Sequence, residues 1–481
     1  MFTRRFLQNY YSLTKRFCTI SKILEAGPRS TPITIQGWVL HRREHKDFNF
    51  YVISDGLSSE TIQVVMEKSK VLHDMKPGSA VSVTGSLRQS QGRGQKFDFV
   101  PDVVDVIGEM AESYPLGGKE KCEEGRVRLH LHLRPKMMSF SAMLRLRNAA
   151  KDQIHQYMQE KQFLCIDTPI FTLNDCEGGG EAFTVEPADK AKFGDALIRE
   201  LNADGSEREI KRSFFGRPAF TTVSGQLHLE AAACAFRQVY TFNPAFRAES
   251  CMSRQHLAEF YMLEVEMAFM TELEPLVKVV EDLFRKCSSA ILNSNEKDYA
   301  FCAKFHNASH MAVVKKTLAS TSSFPRLSYK EAVEILEKGA AENLFPKPAN
   351  SGFTKEQERY LVKHCGNLPV FVLNFPADAK PFYMARDKNT DLAACFDLLA
   401  PVTGEIVGGS LREGDFETLE NRLVQMGTQE KLAWYLDLRK YGYPRTGGFG
   451  LGLERYLQWL VGAHNIKDCV PFPRWYQHCY L

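Results

Sequence analysis

Two segments carry most of the information about this chain: FRAESCMSRQHLAEF at positions 246–260 and GFGLGLER at positions 448–455. Each places an arginine, Arg247 or Arg455, where a phosphate could bind, because a guanidinium group holds phosphate oxygens in a two-pronged fork. The second segment alternates glycine with apolar residues, which lets a ligand or a helix approach the backbone closely. Either segment alone is weak evidence, so their order and surroundings matter.

In this order the two segments resemble motifs 2 and 3 of the class II aminoacyl-tRNA synthetases. The resemblance begins near residue 30 and is strongest in four blocks, 175–183, 223–230, 242–266 and 397–455. Enzymes of this family activate an amino acid with ATP and transfer it to the 3′ end of tRNA. The resemblance implies an α+β fold whose catalytic domain is a six-stranded antiparallel sheet flanked by helices. The absence of a convincing G-x-x-x-x-G-K-[ST] motif agrees with a fold that is not of the P-loop type.

Residues 33–107 carry five short β-type runs separated by turn signals, which predicts a small barrel, with a plain β-sandwich as the alternative. The run starting Gly37-Trp38-Val39 resembles the OB-fold anticodon-binding domain of the aspartyl, asparaginyl and lysyl enzymes. Three residues are predicted to bind the anticodon: Arg43, Phe50 and Gln63. Aromatic stacking on unpaired bases is how such barrels bind single-stranded RNA, although Phe50 could instead belong to the core.

The predicted domain order begins with an N-terminal targeting segment. Residues 1–24 contain five lysines and arginines and no acidic residue, the composition of a mitochondrial presequence, with a frayed basic terminus as the alternative. The remaining boundaries place the OB-fold domain at 25–112, a linker at 113–138 and the catalytic domain at 139–481, with an insertion at about 290–368. A long helix over 139–162, followed by a strand ending at Pro169, resembles motif 1, the dimer-forming element of the family.

The family resemblance assigns an ATP site to residues of the two arginine segments. Formation of an adenylate needs positioning and charge stabilisation rather than a covalent enzyme intermediate. Arg247 is expected on the α-phosphate and Arg455 on the γ-phosphate, and both are the predicted catalytic residues. The remaining predicted ATP-binding residues are Glu249 and Phe260 at the adenine, and Arg254 and His256 toward the γ-phosphate.

Asp397 and Glu405 match the metal-binding pair of the family, and two carboxylates near ATP are suitable oxygen ligands for Mg²⁺. Taken without their surroundings, Asp397 could be a turn residue and Glu405 a solvated strand end. The Gly-Gly-Ser-Leu-Arg sequence that follows at 408–412 favours the metal-binding interpretation.

The predicted amino-acid site centres on Arg412, which matches the arginine that holds the substrate side chain in aspartyl and asparaginyl enzymes. A cation there would repel lysine. Aspartyl enzymes also carry a lysine that corresponds to Leu229, so a lone Arg412 favours a neutral amide, and asparagine is the predicted substrate. The other predicted amino-acid-binding residues are Glu177, Glu181, Ser224, Gln226 and Glu264, with Glu181 expected to favour an amide over a carboxylate.

These expectations imply ATP, asparagine, tRNA(Asn) and a second copy of the chain as partners, no membrane, and the mitochondrial matrix as the location. The alternatives are an aspartyl enzyme, including a non-discriminating one, a silent tRNA-binding paralogue, and a tRNA-independent enzyme that makes asparagine. The net charge is only +3, so tRNA would have to be held by local patches. One departure from the family pattern concerns Gln255, which stands where an arginine usually precedes His256.

Overall fold

A computed structural model describes residues 18–70, 75–92, 94–116, 124–173, 181–189, 197–201, 207–211, 214–349, 352–387 and 389–481. Contacts divide the chain into two compact units. The first comprises Met1–Leu146, Lys297–Cys302 and Leu481, and the second comprises Arg147–Glu296 and Ala303–Tyr480.

The first unit contains a closed five-stranded barrel, as the OB-fold prediction requires. Its strands, in chain order, are Ile33–Glu44, Phe48–Ser54, Ile62–Glu67, Ala80–Gln89 and Phe97–Gly108. Around the barrel the order is first, second, third, fifth and fourth. Alternate residues of each strand point inward, so Val64, Val83 and Phe99 are fully buried in its core.

A short helix, Ile20–Ala26, precedes the barrel and forms part of its core. The Thr19 hydroxyl caps the helix by accepting the N–H of Lys22. Ile20 and Ile23 are each 1% exposed and pack among the barrel side chains, a burial that contributes roughly 1.5–3 kcal/mol for each isoleucine. This helix overlaps the end of the predicted presequence, residues 1–24, whose boundary stays a prediction; residues 1–17 lie outside the described residues.

The second unit is built on an eight-stranded sheet. From one edge to the other its strands are Arg326–Ser328, Val370–Leu373, Cys395–Ala400, Gly404–Leu411, Thr446–Gly452, Glu259–Ala268, Gln238–Phe246 and Leu164–Cys165. The six central strands pair antiparallel, as predicted. One short strand pairs parallel at each edge, which extends the predicted sheet from six strands to eight.

Helices are present in both units. The helices described after the first one are Glu124–Leu129, Met138–Glu160, Gln226–Ala233, Glu274–Ser294, Glu296–Asn307, His310–Ala319, Tyr329–Ala341, Lys355–His364, Phe416–Gln425, Ala433–Asp437 and Leu453–Val461. Short 3-10 turns lie at Lys68–Lys70, Arg134–Lys136, Ala377–Ala379 and Ile466–Asp468. The long helix predicted over 139–162 is present as Met138–Glu160. Of the helices described, none is long and apolar enough to cross a bilayer.

Smaller strand pairs lie outside the main sheet. Phe171–Thr172, Thr184–Val185 and Ala219–Thr221 form a three-stranded sheet, and Arg386–Asp387 pairs with Leu392–Ala393. The strand Leu197–Leu201 pairs antiparallel with the strand Glu207–Lys211. The predicted insertion at 290–368 contributes the edge strand Arg326–Ser328 to the main sheet, so it is integrated into the domain core.

Candidate active site

The alternating glycines of the second arginine segment make room for carboxylates on the adjacent strand. Gly448 pairs with Glu266 and Gly450 pairs with Glu264 across the sheet. A Cβ at Gly448 would lie 2.1 Å from a Glu266 carboxylate oxygen, far inside contact distance. Successive even-numbered residues of a strand share one face, so the motif and its partner strand build a polar floor from which larger side chains are excluded.

Both predicted catalytic arginines border one cavity of about 400 Å³ above this floor. Arg247 follows the strand Gln238–Phe246, and its guanidinium lies 5.5 Å from the ring centre of Phe260. Arg455 is in the helix Leu453–Val461 and donates from Nη1 to the Glu405 carbonyl at 3.1 Å and to its carboxylate at 3.4 Å. Strand and helix termini far apart in sequence thus bring both cations to one cleft.

The loop between Arg247 and Phe260 places its polar residues unevenly around the cavity. Glu249 and His256 line it, with 3.4 Å between Glu249 Oε2 and His256 Nε2. Gln255 is buried and also lines it, whereas Arg254 is exposed and is not among the described residues that border the cavity. The structure does not place Arg254 in position for the predicted γ-phosphate contact, because the backbone of the loop points the neighbouring Gln255 inward instead.

The ring of His256 is held by neighbours on both sides. Its Nδ1 contacts the Ser253 hydroxyl and lies 3.5 Å from the Cys251 sulfur. Burial lowers the pKa of His256, Glu249 opposes this, and the cationic side chains of Arg455, Lys355 and Lys467 lower it further. These contacts favour the neutral form of the imidazole in this structure.

Asp397 and Glu405 converge over Gly408. A Cβ at Gly408 would lie 3.3 Å from Glu405 Oε1 and 3.6 Å from Asp397 Oδ1. Both carboxylates line the cavity, on the adjacent strands Cys395–Ala400 and Gly404–Leu411. Two hard oxygen ligands over a residue without a side chain fit a Mg²⁺ ion that takes its remaining ligands from phosphate and water.

Cationic side chains lie close to Asp397 and Glu405 and stabilise their ionised forms. Lys380 binds Asp397 Oδ2 at 2.8 Å, an ion pair that the sequence did not suggest. Burial would raise the pKa of Glu405, but Arg455, with Lys355, Lys380 and Arg247, outweighs it and lowers the pKa to about 2. Glu405 is therefore ionised at neutral pH, as a metal ligand must be.

The opposite end of the cavity holds three of the residues predicted for the amino acid. Glu264 accepts the Gly225 N–H at 2.8 Å and also binds the Ser224 hydroxyl. Gln226 donates from Nε2 to Glu230 Oε1 at 3.1 Å. Glu264, Ser224 and Gln226 all line the cavity, so a carboxylate and two uncharged polar groups are available for an ammonium group there.

Arg412 lies in the floor of this end and is already engaged. Its Nε and Nη2 donate to Glu266 at 3.1 and 2.8 Å, and its Nη1 donates to the Ser410 hydroxyl at 2.7 Å. Glu266 is fully buried and Arg412 is 6% exposed. The guanidinium is thus fixed by a bidentate carboxylate, and a substrate would meet a cation whose charge is already balanced.

A second buried ion pair supports the first. Glu230, fully buried, accepts from the Tyr435 hydroxyl at 2.8 Å and from Arg439 Nη2 at 3.0 Å, and lies 3.9 Å from Arg412 Nε. Sequence reasoning missed Glu230, Glu266, Arg439 and Tyr435 as parts of the site. Their partners are distant in sequence. The only local sign of these contacts was that two acidic residues, Glu264 and Glu266, occupy alternate positions of one strand and so share a face.

Two other predicted amino-acid ligands are not placed in the cavity. Glu181 is exposed and is not among the described cavity-lining residues; its backbone carbonyl accepts the Ala248 N–H at 2.6 Å. The contact of its carboxylate with the substrate amide stays a prediction. Glu177 lies outside the described residues.

The three predicted anticodon-binding residues share the outer surface of the barrel. Arg43 pairs with Phe50 across two strands, and its guanidinium lies 4.9 Å from the ring centre. Gln63 is on the next strand, opposite Val52, and donates to Asp98 Oδ1 at 3.0 Å. Because buried residues alternate with these positions, Phe50 faces outward and is not a core residue.

Comparisons with known proteins agree on one family. A model described as tRNA synthetases class II (D, K and N) matches residues 125–476, and one described as an OB-fold nucleic acid binding domain matches residues 33–109. The asparaginyl-tRNA synthetase of Mus musculus is 41% identical over 94% of this chain and 92% of its own length. A Dictyostelium discoideum protein named as a probable mitochondrial asparagine–tRNA ligase is 38% identical over 93% of each chain.

A solved structure resembles nearly the whole fold. The asparaginyl-tRNA synthetase of Pyrococcus horikoshii, crystallised with asparaginyl-adenylate, superimposes with a TM-score of 0.81 at 26% identity. The match covers 96% of this chain and 99% of that protein.

Proposed function

Because this chain belongs to the class II tRNA synthetases for aspartate, lysine and asparagine, we propose that it attaches asparagine to tRNA(Asn) through an asparaginyl-adenylate. Membership makes it an aminoacyl-tRNA ligase with an N-terminal OB-fold domain. The choice of asparagine is supported above all by the balanced charge under the amino-acid end of the cavity. There Arg412 is bound by Glu266, and Arg439 is bound by Glu230.

A site in which the buried arginines are already paired with carboxylates favours a substrate with an amide side chain over one with a carboxylate. An aspartate side chain would bring an extra negative charge to a buried floor in which each guanidinium already has its carboxylate, and a buried charge without a partner is costly. An asparagine amide can instead accept from a guanidinium and donate to a carboxylate. Leu229, fully buried in the cavity wall, offers no second cation for aspartate.

The reaction follows from the positions of the arginines. A carboxylate oxygen of asparagine attacks the α-phosphorus of ATP, a new carbon–oxygen–phosphorus link forms, and the bond to the leaving pyrophosphate breaks. Arg247 stabilises negative charge on the α-phosphate, while Arg455 holds the γ-phosphate end. A terminal ribose hydroxyl of tRNA then attacks the carbonyl carbon of the adenylate and releases AMP.

Asp397 and Glu405 would hold the Mg²⁺ ion that accompanies ATP. When bound, the ion supplies positive charge that offsets charge on the departing pyrophosphate. Phe260 and Glu249 are placed to receive the adenine, and His256 lies beside them. Arg43, Phe50 and Gln63 on the barrel are proposed to bind the anticodon, with Phe50 as the stacking residue.

The substrate assignment is tested by ATP–pyrophosphate exchange with asparagine and aspartate in parallel. We expect Leu229→Lys to reduce the preference for asparagine, expressed as the ratio of kcat/KM values, by about 10-fold or more, because it adds the missing cation. Leu229→Met, which keeps the apolar volume, is the control and should preserve the preference. A Leu229→Lys protein that prefers asparagine as strongly as the parent would refute the charge argument, and a parent that prefers aspartate would establish the aspartyl alternative.

We also propose action in the mitochondrial matrix. The support is the acid-free N-terminal segment with its lysines and arginines, together with the relative from Dictyostelium discoideum. Residues 1–24 fused to a fluorescent protein should be imported into mitochondria, and replacing Arg4, Arg5, Lys15 and Arg16 with glutamine should abolish import. A fusion that stays in the cytosol would contradict this location.

A homodimer is proposed on the motif 1 resemblance and on exposed apolar side chains around it. Leu164, Ile170 and Phe171 are 44%, 40% and 55% exposed, respectively, at or near the edge of the sheet. Sedimentation velocity should give twice the chain mass of 54.7 kDa, and a monomer at micromolar concentration would contradict it.

A further inference from the structure

The segment between the two arginine motifs places a buried carboxylate against the backbone of Glu405, one of the two predicted metal ligands. The helix Lys355–His364 starts with a capping box, in which Thr354 and Gln357 satisfy each other's backbone N–H groups. Glu358, in its first turn, is 7% exposed and accepts the backbone N–H of Glu405 at 2.9 Å. This contact spans 47 residues of sequence, so it is a tertiary feature of the fold.

The start of the strand Gly404–Leu411 is shaped around that carboxylate. Gly404 has φ +75°, and a Cβ there would lie 2.0 Å from Glu358 Oε2. A side chain at this position is therefore excluded both by backbone conformation and by space. Glycine allows the carboxylate to reach the N–H of the next residue, Glu405.

Glu405 is held on its other side as well. Its carbonyl oxygen accepts from Arg455 Nη1 at 3.1 Å. The pairing with the adjacent strand is irregular here, since Leu399 faces Glu405 while Leu398 faces Val407. Such a bulge re-aims a side chain, and with both backbone groups of Glu405 bonded outside the regular ladder, its carboxylate is directed over Gly408.

Lys355 keeps the supporting carboxylate from adding charge to the cavity. Its Nζ binds the two oxygens of Glu358 at 3.0 and 2.8 Å. A buried carboxylate without such a partner would repel a metal ligand beside it, whereas a paired carboxylate can serve as a hydrogen-bond acceptor at little electrostatic cost.

We propose that Glu358 is a positioning residue that holds Glu405 in the orientation required to bind the Mg²⁺ of ATP, with Lys355 as its counter-ion. The inserted segment thereby has a function in adenylate formation. The inference depends on the proposed role of Glu405 as a metal ligand, and it assigns no contact between Glu358 and the metal, the nucleotide or asparagine.

The test compares three substitutions of Glu358 in the full chain. Glu358→Gln retains an acceptor for the Glu405 N–H, and Glu358→Leu removes it. Glu358→Asp retains the carboxylate, but its side chain is one methylene shorter, so the carboxylate lies farther from the Glu405 N–H. Glu356→Gln, an exposed position in the same helical turn, is the matched control, and Glu405→Gln is the reference for loss of a metal ligand. Two quantities are measured: the Mg²⁺ concentration that gives half-maximal pyrophosphate exchange, and Mn²⁺ binding by electron paramagnetic resonance with a non-hydrolysable ATP analogue.

We expect Glu358→Leu to raise the half-saturating Mg²⁺ concentration and to weaken Mn²⁺ binding by about 10-fold, the lower range for loss of an outer-shell partner. Glu358→Gln should remain within about 3-fold of the parent, and Glu356→Gln should be unchanged. If the leucine variant does not fold, Glu358→Asp carries the same test with an expected shift of about 3- to 10-fold.

The outcomes separate this inference from the function on which it rests. If Glu405→Gln weakens Mn²⁺ binding but neither Glu358→Leu nor Glu358→Asp does, the positioning role of Glu358 is refuted and the metal site stands. If Glu405→Gln leaves Mn²⁺ binding unchanged, the metal assignment itself fails. A glutamine variant as impaired as the leucine variant would show that the charge of Glu358, rather than its bond to Glu405, is what matters, and would overturn the proposal.

Discussion

Replacing Arg247 with alanine is expected to lower kcat/KM for asparagine-dependent ATP–pyrophosphate exchange by about 10³-fold, which corresponds to about 4 kcal/mol of transition-state stabilisation. The reason is that Arg247 lies in the same cavity as Arg455 and the two carboxylates, Asp397 and Glu405. Charge that develops on the α-phosphate would lose the cation placed for it. The loss should appear mainly in kcat, because the interaction strengthens as the phosphorus is attacked.

Arg254 provides a matched control from the same loop. It is exposed and is not among the described residues that border the cavity. Arg254→Ala should therefore stay within about 3-fold of the parent, the range of a surface substitution away from the reacting groups. If the two alanine variants lose activity equally, the loop adopts another arrangement with ATP, and the assignment of roles within it is wrong.

The second large effect is expected for Arg412→Leu, which should reduce kcat/KM for asparagine by about 10³-fold or more, because the site then lacks its charged hydrogen-bond donor to the amide oxygen. Arg412→Lys keeps a charge without the planar fork and should retain part of the activity.

Arg285→Leu is a control for loss of an arginine. The Arg285 guanidinium binds carbonyls of Thr317, Ser320 and Ser322, and Arg285 is not among the described cavity-lining residues. It should affect stability without changing KM for asparagine.

The Arg412→Leu variant should also show a characteristic dependence of stability on pH. Burial raises the pKa of Glu266 to about 7 even though Arg412 opposes this shift, so removing Arg412 raises the pKa further. A carboxyl whose pKa is higher in the folded state than in the unfolded state binds its proton more tightly when folded. The Tm of Arg412→Leu should therefore fall, relative to the parent, as pH rises from 6 to 9. A pH-independent difference would mean that the loss of Arg412 leaves the pKa of Glu266 unchanged, and would contradict this argument.

The sequence was most informative where a local pattern carries the chemistry. Arg247, Phe260, Arg455, Asp397 and Glu405 sit in short motifs, and all of them line one cavity. The alternating glycines also predicted a close approach to the backbone. The pairing of Gly448 with Glu266 explains this, because the Glu266 carboxylate occupies the space that a side chain at position 448 would need.

Residues that act through tertiary contacts were not predictable in this way. Glu230 meets Tyr435 across 205 residues, and Arg412 meets Glu266 across 146. Lys380 and Glu358 carry no motif of their own, so only the folded chain reveals their bonds to Asp397 and Glu405.

The sequence could not fix the direction of single side chains or the bounds of short elements. The inward-pointing residue of the motif 2 loop is Gln255 rather than Arg254, a distinction that depends on loop conformation. The strand predicted to end at Pro169 is present, but it has only two residues, Leu164–Cys165, too few for a periodic pattern to fix its bounds. Ile20 and Ile23 lie in a segment whose basic composition suggested a presequence, yet their burial places them in the barrel.

The central claim is that the cavity binds an asparaginyl-adenylate in preference to an aspartyl-adenylate. It is tested most directly by calorimetric titration of the protein with the non-hydrolysable sulfamoyl analogues of the two adenylates. We predict that the asparaginyl analogue binds at least about 10²-fold more tightly, since the other places an unpaired charge over the Arg412–Glu266 floor. Equal affinities, or tighter binding of the aspartyl analogue, would contradict the account.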